Sequence, residues 1–145
     1  MTPKSRPKTS AYFSMRMPRL LHERLERFAR QSDESKSSLA ERYITEGLRQ
    51  DAHPEIVFRD SPFGRRAMLA GTRLEVWQVI DTLRNSNNSI EDAAAYLSLP
   101  AARVRAALSY YAAFQDEVDE HASRVATAAE DAEQAWRREQ ELIGA

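Results

Sequence analysis

The stretch YFSMRMPRLLHERLERFARQSDESKSSLAERYITEGL, residues 12–48, decides how the chain folds. It begins with strict alternation: Phe13, Met15 and Met17 are apolar, while Tyr12, Ser14 and Arg16 point the other way, the period of a strand. Pro18 closes that run and suits the first turn of a helix, where a missing N–H leaves nothing unpaired. Leu21, Leu25 and Phe28 then share one helical face. Leu39, Ala40, Tyr43, Ile44 and Leu48 share a face of a second helix. Between the two, Gln31 to Glu34 is turn-like, and Ser35 is the expected N-cap.

A unit of this size with one lone strand buries too little apolar surface to offset its chain entropy. Its simplest partner is the same strand of a second copy, giving a two-stranded ribbon over four helices. The pattern resembles the ribbon-helix-helix repressors of bacteria (the CopG, Arc and MetJ type). FSMRMP corresponds to the strand signature and SDESKSSL to the inter-helix turn and second-helix start. The family's turn commonly carries Gly; here Asp33 is the residue best able to take a left-handed backbone.

The resemblance implies that the ribbon enters the major groove of DNA with Tyr12, Ser14 and Arg16 as base-contacting residues. Arg offers two hydrogen bonds to guanine, Ser pairs with several base edges, and Tyr reaches a thymine methyl or a phosphate. Ser35, Lys36, Ser37 and Ser38 open the second helix, where free N–H groups and the helix dipole favour a phosphate. The competing readings are plain ones: the solvent face of an edge strand, and an ordinary capped helix.

Composition bounds the rest. At 145 residues, with 42% hydrophobic and 30% charged residues, the chain has room for one ordinary domain or two small ones and is expected to be soluble. No apolar run approaches a membrane span, and the basic N-terminus lacks the apolar core of a secretory signal. Without cysteine there is no disulfide or thiolate chemistry, so a reducing cytoplasm is the expected setting. His22, His53 and His121 are scattered without metal-ligand spacing, and no nucleophile–base pair stands out. Neither an enzyme, a cofactor nor a metal is expected.

The net charge of −1 conceals an asymmetry. Residues 1–30 hold eight Lys and Arg against Glu23 and Glu26, hence +6; residues 115–145 hold nine acids against three Arg, hence −6. The basic end suits a polyanion such as double-stranded DNA, and the acidic end a basic protein surface.

Residues 1–10 read as a flexible basic arm, 11–50 as the unit above, and 51–54 as a linker ahead of Pro54. A second unit starts at Glu55. Ile56-Val57-Phe58 and Ala67-Met68-Leu69 suggest a small hairpin, with Asp60-Ser61-Pro62 as turn and Gly64 as breaker. Leu74 to Leu83 fits a buried helix, with Trp77 in the core. Asn85 to Asn88 is a loop, Ser89 with Asp92 caps a short helix, and Leu99-Pro100 ends it. A longer helix follows, with Val104, Leu108, Tyr111 and Phe114 on one side. Tyr110 and Tyr111 are taken as core.

Helix, short helix, turn, longer helix is a helix-turn-helix order. Residues 55–118 resemble a small family known only as a domain of unknown function, through Gly71-Thr72-Arg73-Leu74 with Val76, and through Ala107, Leu108, Tyr110 and Tyr111. The resemblance implies an antitoxin partnered with a PIN-like nuclease toxin. Arg65, Arg66, Arg103 and Arg105 suggest a second basic patch, diluted by Glu75, Glu91 and Asp92, so dimerisation or toxin docking competes with DNA contact there.

Residues 119–145 read as an acidic helix. Val118, Ala122, Val125, Ala129, Ala132, Trp136 and Ile143 form a heptad-like seam, of which Val125, Ala129, Ala132 and Trp136 are the candidate partner-binding residues. The expectation is a mainly α protein: a ribbon-helix-helix unit, a helix-turn-helix module with a short hairpin, and a long C-terminal helix. Functionally it is a homodimer, with a tetramer open, that represses transcription as a type II antitoxin. The alternative is a stand-alone regulator whose C-terminal half only builds oligomers.

Overall fold

A computed structural model describes residues 10–144. Among these described residues, six helices and one two-stranded antiparallel sheet follow in the order ααββαααα, and the chain divides into two compact units between Tyr43 and Ile44.

In the first unit, residues 10–18 are neither helix nor strand within the single chain. Pro18 (φ −56°, ψ 141°) is the N-cap of α1 (Arg19–Gln31), one position earlier than the first-turn site expected of it, and its carbonyl accepts from His22 N at 3.1 Å. α1 ends in a turn that returns Glu34 N to Ala29 O at 3.0 Å. Asp33 takes φ +54°, the left-handed conformation its position demands. Ser35 then caps α2 (Lys36–Ala52), its Oγ accepting from Ser38 N at 3.0 Å. Ala29 and Leu39 are buried, whereas Leu21 and Phe28 on the predicted apolar face of α1 are about half exposed.

The division between units falls within α2 because the end of that helix is bonded into the second unit. Glu46 takes Arg65, and Arg49 donates to Tyr110 Oη at 3.1 Å and to Glu117 Oε2 at 2.6 Å. Asp51 and Ala52, expected as linker, are therefore helical, and only His53, Pro54 and Glu55 separate α2 from the hairpin. His53 is not idle there: its ring meets Tyr110 edge-on, centroids 5.3 Å apart.

β1 (Ile56–Ser61) pairs with β2 (Gly64–Leu69) in the register Ile56↔Leu69 to Ser61↔Gly64. Asp60 and Ser61 belong to β1, so the turn is Pro62-Phe63 alone. The Ser61 hydroxyl donates to Gly64 O at 2.7 Å and accepts from Phe63 N at 3.1 Å, and Gly64 turns at φ +99°. After β2 the Gly-Thr-Arg-Leu motif forms a second turn. Gly71 has φ +73°, and Thr72 Oγ1 donates to Leu69 O at 2.8 Å while accepting from Leu74 N at 3.0 Å.

α3 (Val76–Asn85) starts two residues later than its apolar pattern predicts, because Leu74 and Glu75 complete the turn and a bridge to Met68. The loop reverses through Asn87 and Asn88, both at positive φ, and α4 (Ile90–Leu97) is capped by Ser89, which accepts from Asp92 N at 3.2 Å. Ser98 (φ +55°) stops α4, and Pro100 caps α5 (Ala101–Ala113). Phe114 (φ −132°, ψ 42°) is the only break before α6 (Gln115–Gly144). The C-terminal helix thus starts inside the stretch expected to be the helix-turn-helix module.

The core of this unit joins Ile56 and Leu69 of the hairpin to Val76, Val79, Ile80 and Leu83 of α3, Ala93 and Ala94 of α4, and Val104, Ala107, Tyr110 and Tyr111 of α5. α6 contributes Val118 alone. Burial at Ala107 and Tyr110, and only part burial at Leu108 and Phe114, turns the inner face of α5 by about one residue from the predicted one. No helix among the described residues is long and apolar enough to cross a membrane.

Candidate nucleic-acid interface and partner surfaces

Tyr12, Ser14 and Arg16 all lie in the segment ahead of α1 and all are exposed. So are Phe13 (74%) and Met15 (59%), which an alternating strand would turn to the other side. Nothing among the described residues covers either set. Arg16, Arg24, Arg27 and Arg30 have no ion-pair partner among the described residues, leaving cations available on and beside α1. The expected arm, residues 1–10, lies almost wholly outside the described residues.

The start of α2 is more committed than the sequence suggests. Because Ser35 is the N-cap, its hydroxyl takes the N–H of Ser38, so that donor is not free for a phosphate. Lys36 is also engaged: Nζ lies 3.0 Å from His22 Nε2 and 3.5 Å from Glu26 Oε1. Of the four residues proposed to clamp phosphate, only the N–H groups of Lys36 and Ser37 keep the character of an open helix start.

In the second unit the four arginines of the suspected basic patch are all matched by carboxylates. Arg65 pairs with Glu46 at 2.5 Å and Asp60 at 3.3 Å, Arg66 with Glu75, Arg103 with Glu55 at 3.8 Å, and Arg105 with Glu91 at 3.7 Å. Such pairing leaves little field for a phosphate backbone.

Glu75, which the sequence offers only as an acid diluting the basic patch, is a hub of this unit. It is buried, caps α3 in a box with Gln78 (Glu75 N to Gln78 Oε1, 2.9 Å), and gathers Arg66, the Trp77 indole N–H and His121 Nε2, the last at 3.7 Å. Trp77, half-buried, packs against the core and is held at its edge through that bond. The local signal was present, since a carboxylate three residues ahead of Gln before an apolar run is a capping pattern.

Tyr110 is the second hub, flanked by Arg49 and by Glu117 at 3.2 Å. Burial, then the charge of Glu117, pushes its phenol up to about 12, with Arg49 opposing. Burial pulls Arg49 down, but the bond and charge of Glu117 outweigh it and leave the guanidinium above its ordinary value.

The candidate partner surface divides. Val125 is half-buried, while Ala129, Ala132 and Trp136 (58% exposed) lie on the outer half of α6, where no residue from Thr127 to Gly144 is buried. Beside the inner half, α3 and α6 enclose an open groove of about 410 Å³, lined by Trp77, Ile80, Arg84, Val118, Ala122 and Ala126, with Asp81 and Asp119 at its edge. Among the described residues no group of three or more His, Asp or Glu is placed to hold a metal.

Residues 56–111 match the model of a family described as a protein of unknown function, DUF433. The match runs from β1 to Tyr111 and includes the Gly71 turn, the Glu75 box and the tyrosine pair. No curated protein and no solved structure matches the chain.

Proposed function

We propose that the chain is a DNA-binding transcriptional repressor, the antitoxin of a type II toxin–antitoxin pair. Residues 11–50 of two copies form the dimer and present Tyr12, Ser14 and Arg16 to the major groove, and the outer half of α6 engages a toxin of the PIN-like nuclease type. One observation carries the DNA half of this reading. A segment without a strand partner among the described residues, its sequence alternating apolar residues with Tyr12, Ser14 and Arg16, adjoins helices whose apolar residues Leu20, Leu21, Phe28 and Tyr43 remain open. A second copy closes both at once, since a strand needs a neighbour and the helix faces need cover. Asp33 and Ser35 support it by supplying the turn and cap that such a unit requires.

A mobility-shift titration on the chain's own promoter tests the proposal. A dimeric complex is expected, weakening steeply from 50 to 200 mM salt because the gain from releasing counterions falls as salt rises. Arg16→Ala should lower affinity by roughly ten- to a hundredfold, about 1–3 kcal/mol. A chain that ignores this DNA, or an Arg16→Ala variant that binds like the parent, overturns the reading. Co-purification with a basic nuclease separates the antitoxin from the second reading, a stand-alone regulator, which the apolar seam of α6 favours if it serves oligomers alone.

A further inference from the structure

Two unfilled features of the second unit fit each other. One is the α3–α6 groove, with largely apolar lining, Asp81 and Arg84 contributed by α3 and Asp119 by α6. The other is the outer half of α6, about 27 Å of helix at 1.5 Å per residue, without a buried side chain and ending in exposed Leu142 (84%) and Ile143 (77%). Most helical stability in proteins comes from packing of one face, and this stretch has none within its own chain among the described residues. We infer that the outer half of α6 is covered by α6 of a second copy in antiparallel orientation, Ala129 of each against Ala132 of the other, so that each helix end enters the other's α3–α6 groove. This inference stands apart from the DNA reading, and it gives the outer half of α6 the oligomer-building role of the second reading rather than the toxin contact.

Charge selects the orientation and the register. In a parallel pair Glu139, which occupies a seam position between Trp136 and Ile143, would face its own copy inside the seam, an unfavourable burial of like charges. An antiparallel pair set with Ala132 against Trp136 puts Glu133 beside Glu133 of the second copy. Setting Ala129 against Ala132 removes both clashes. Glu133 then flanks Ala126, Ala128 flanks Ala135, and Trp136 covers Val125. The same setting brings Ile143 level with Val118 and Glu139 level with Ala122, both of which line the groove. Leu142 and Ile143 supply the apolar filling. Glu139 and Glu141 bring carboxylates to the groove, where Arg84 donates to the Tyr111 hydroxyl at 2.7 Å but has no carboxylate partner among the described residues, while Asp119 already accepts from that hydroxyl at 2.8 Å. Alanine at the crossing lets the two axes approach closely. The contact is isologous and closes on itself, as a twofold pair must.

The chain has no cysteine, so introduced thiols report alone. Full-length Ala129→Cys and Ala132→Cys, each with a different size tag, are co-expressed and mildly oxidised. The mixed disulfide between the two variants should exceed either self-disulfide at least tenfold. Adding Leu142→Asp and Ile143→Asp to both should cut it at least fivefold with the circular dichroism unchanged. Adding Arg16→Ala should leave it unchanged, so loss of DNA binding and loss of this contact are separate results. Predominant self-disulfides mean a parallel or shifted pair, and absence of any disulfide means the face is left for another protein; either overturns the inference.

Discussion

Single side chains settle most of the local geometry. Asp33 holds a left-handed backbone that costs an ordinary side chain roughly 1–2 kcal/mol. Asp33→Ala should therefore lower stability by about 1 kcal/mol in urea unfolding, while Asp33→Gly should match or exceed the parent. Tyr110 makes a pH-dependent prediction. Its phenol titrates near 10 when unfolded and near 12 when folded, so the fold favours the protonated form. That contribution is complete below pH 10 and disappears as pH rises through 12. The stability gap between the parent and Tyr110→Phe should thus narrow over that window, and a constant gap would contradict it. Asp33 and Ser35 were legible in the sequence because turns and caps obey rules spanning four residues. Arg49 was not, since its partners Tyr110 and Glu117 lie 61 and 68 positions away.

At the level of elements, periodicity found the helices and misplaced their edges where side chains extend a turn. Leu74 looks helical by spacing, but Thr72 and Glu75 draw it into the approach to α3. The expected clamp at α2 shows the same effect: the cap that starts the helix also occupies one of its donors. Ser89 is the cleanest test of capping. Ser89→Ala should cost about 1 kcal/mol by removing the acceptor for Asp92 N. Glu75→Gln should cost more, roughly 2–3 kcal/mol, because Arg66 and His121 lose the charge they face in a buried setting. The basic patch inferred from Arg65, Arg66, Arg103 and Arg105 dissolved for a related reason. Sequence lists charges but does not show which carboxylates fold beside them.

Across the whole molecule, the two units differ in how they are completed. The second owns a continuous core, whereas the first buries little more than Ala29 and Leu39 and leaves its apolar residues open. Heating should therefore give transitions that do not coincide. Tryptophan fluorescence follows the second unit, which holds both Trp77 and Trp136, and far-ultraviolet dichroism includes the first. The part assigned to the first unit should shift upward when protein concentration is raised tenfold, as mass action requires of a unit completed by association. One coincident, concentration-independent transition would rule this out.

The one-residue break at Phe114 carries a mechanical consequence. Arg49 lies over its ring at 4.0 Å from the centroid, and Tyr110 stacks beside it at 4.7 Å. α6 is 30 residues long, about 45 Å, and only Val118 is buried along it. A rotation of roughly 10° about Phe114 would sweep the far end through about 8 Å, given that length. The grip of one guanidinium and one phenol on this ring, with the contacts of Glu117, Val118, Asp119 and His121 just beyond it, therefore sets the aim of a lever many times their own size.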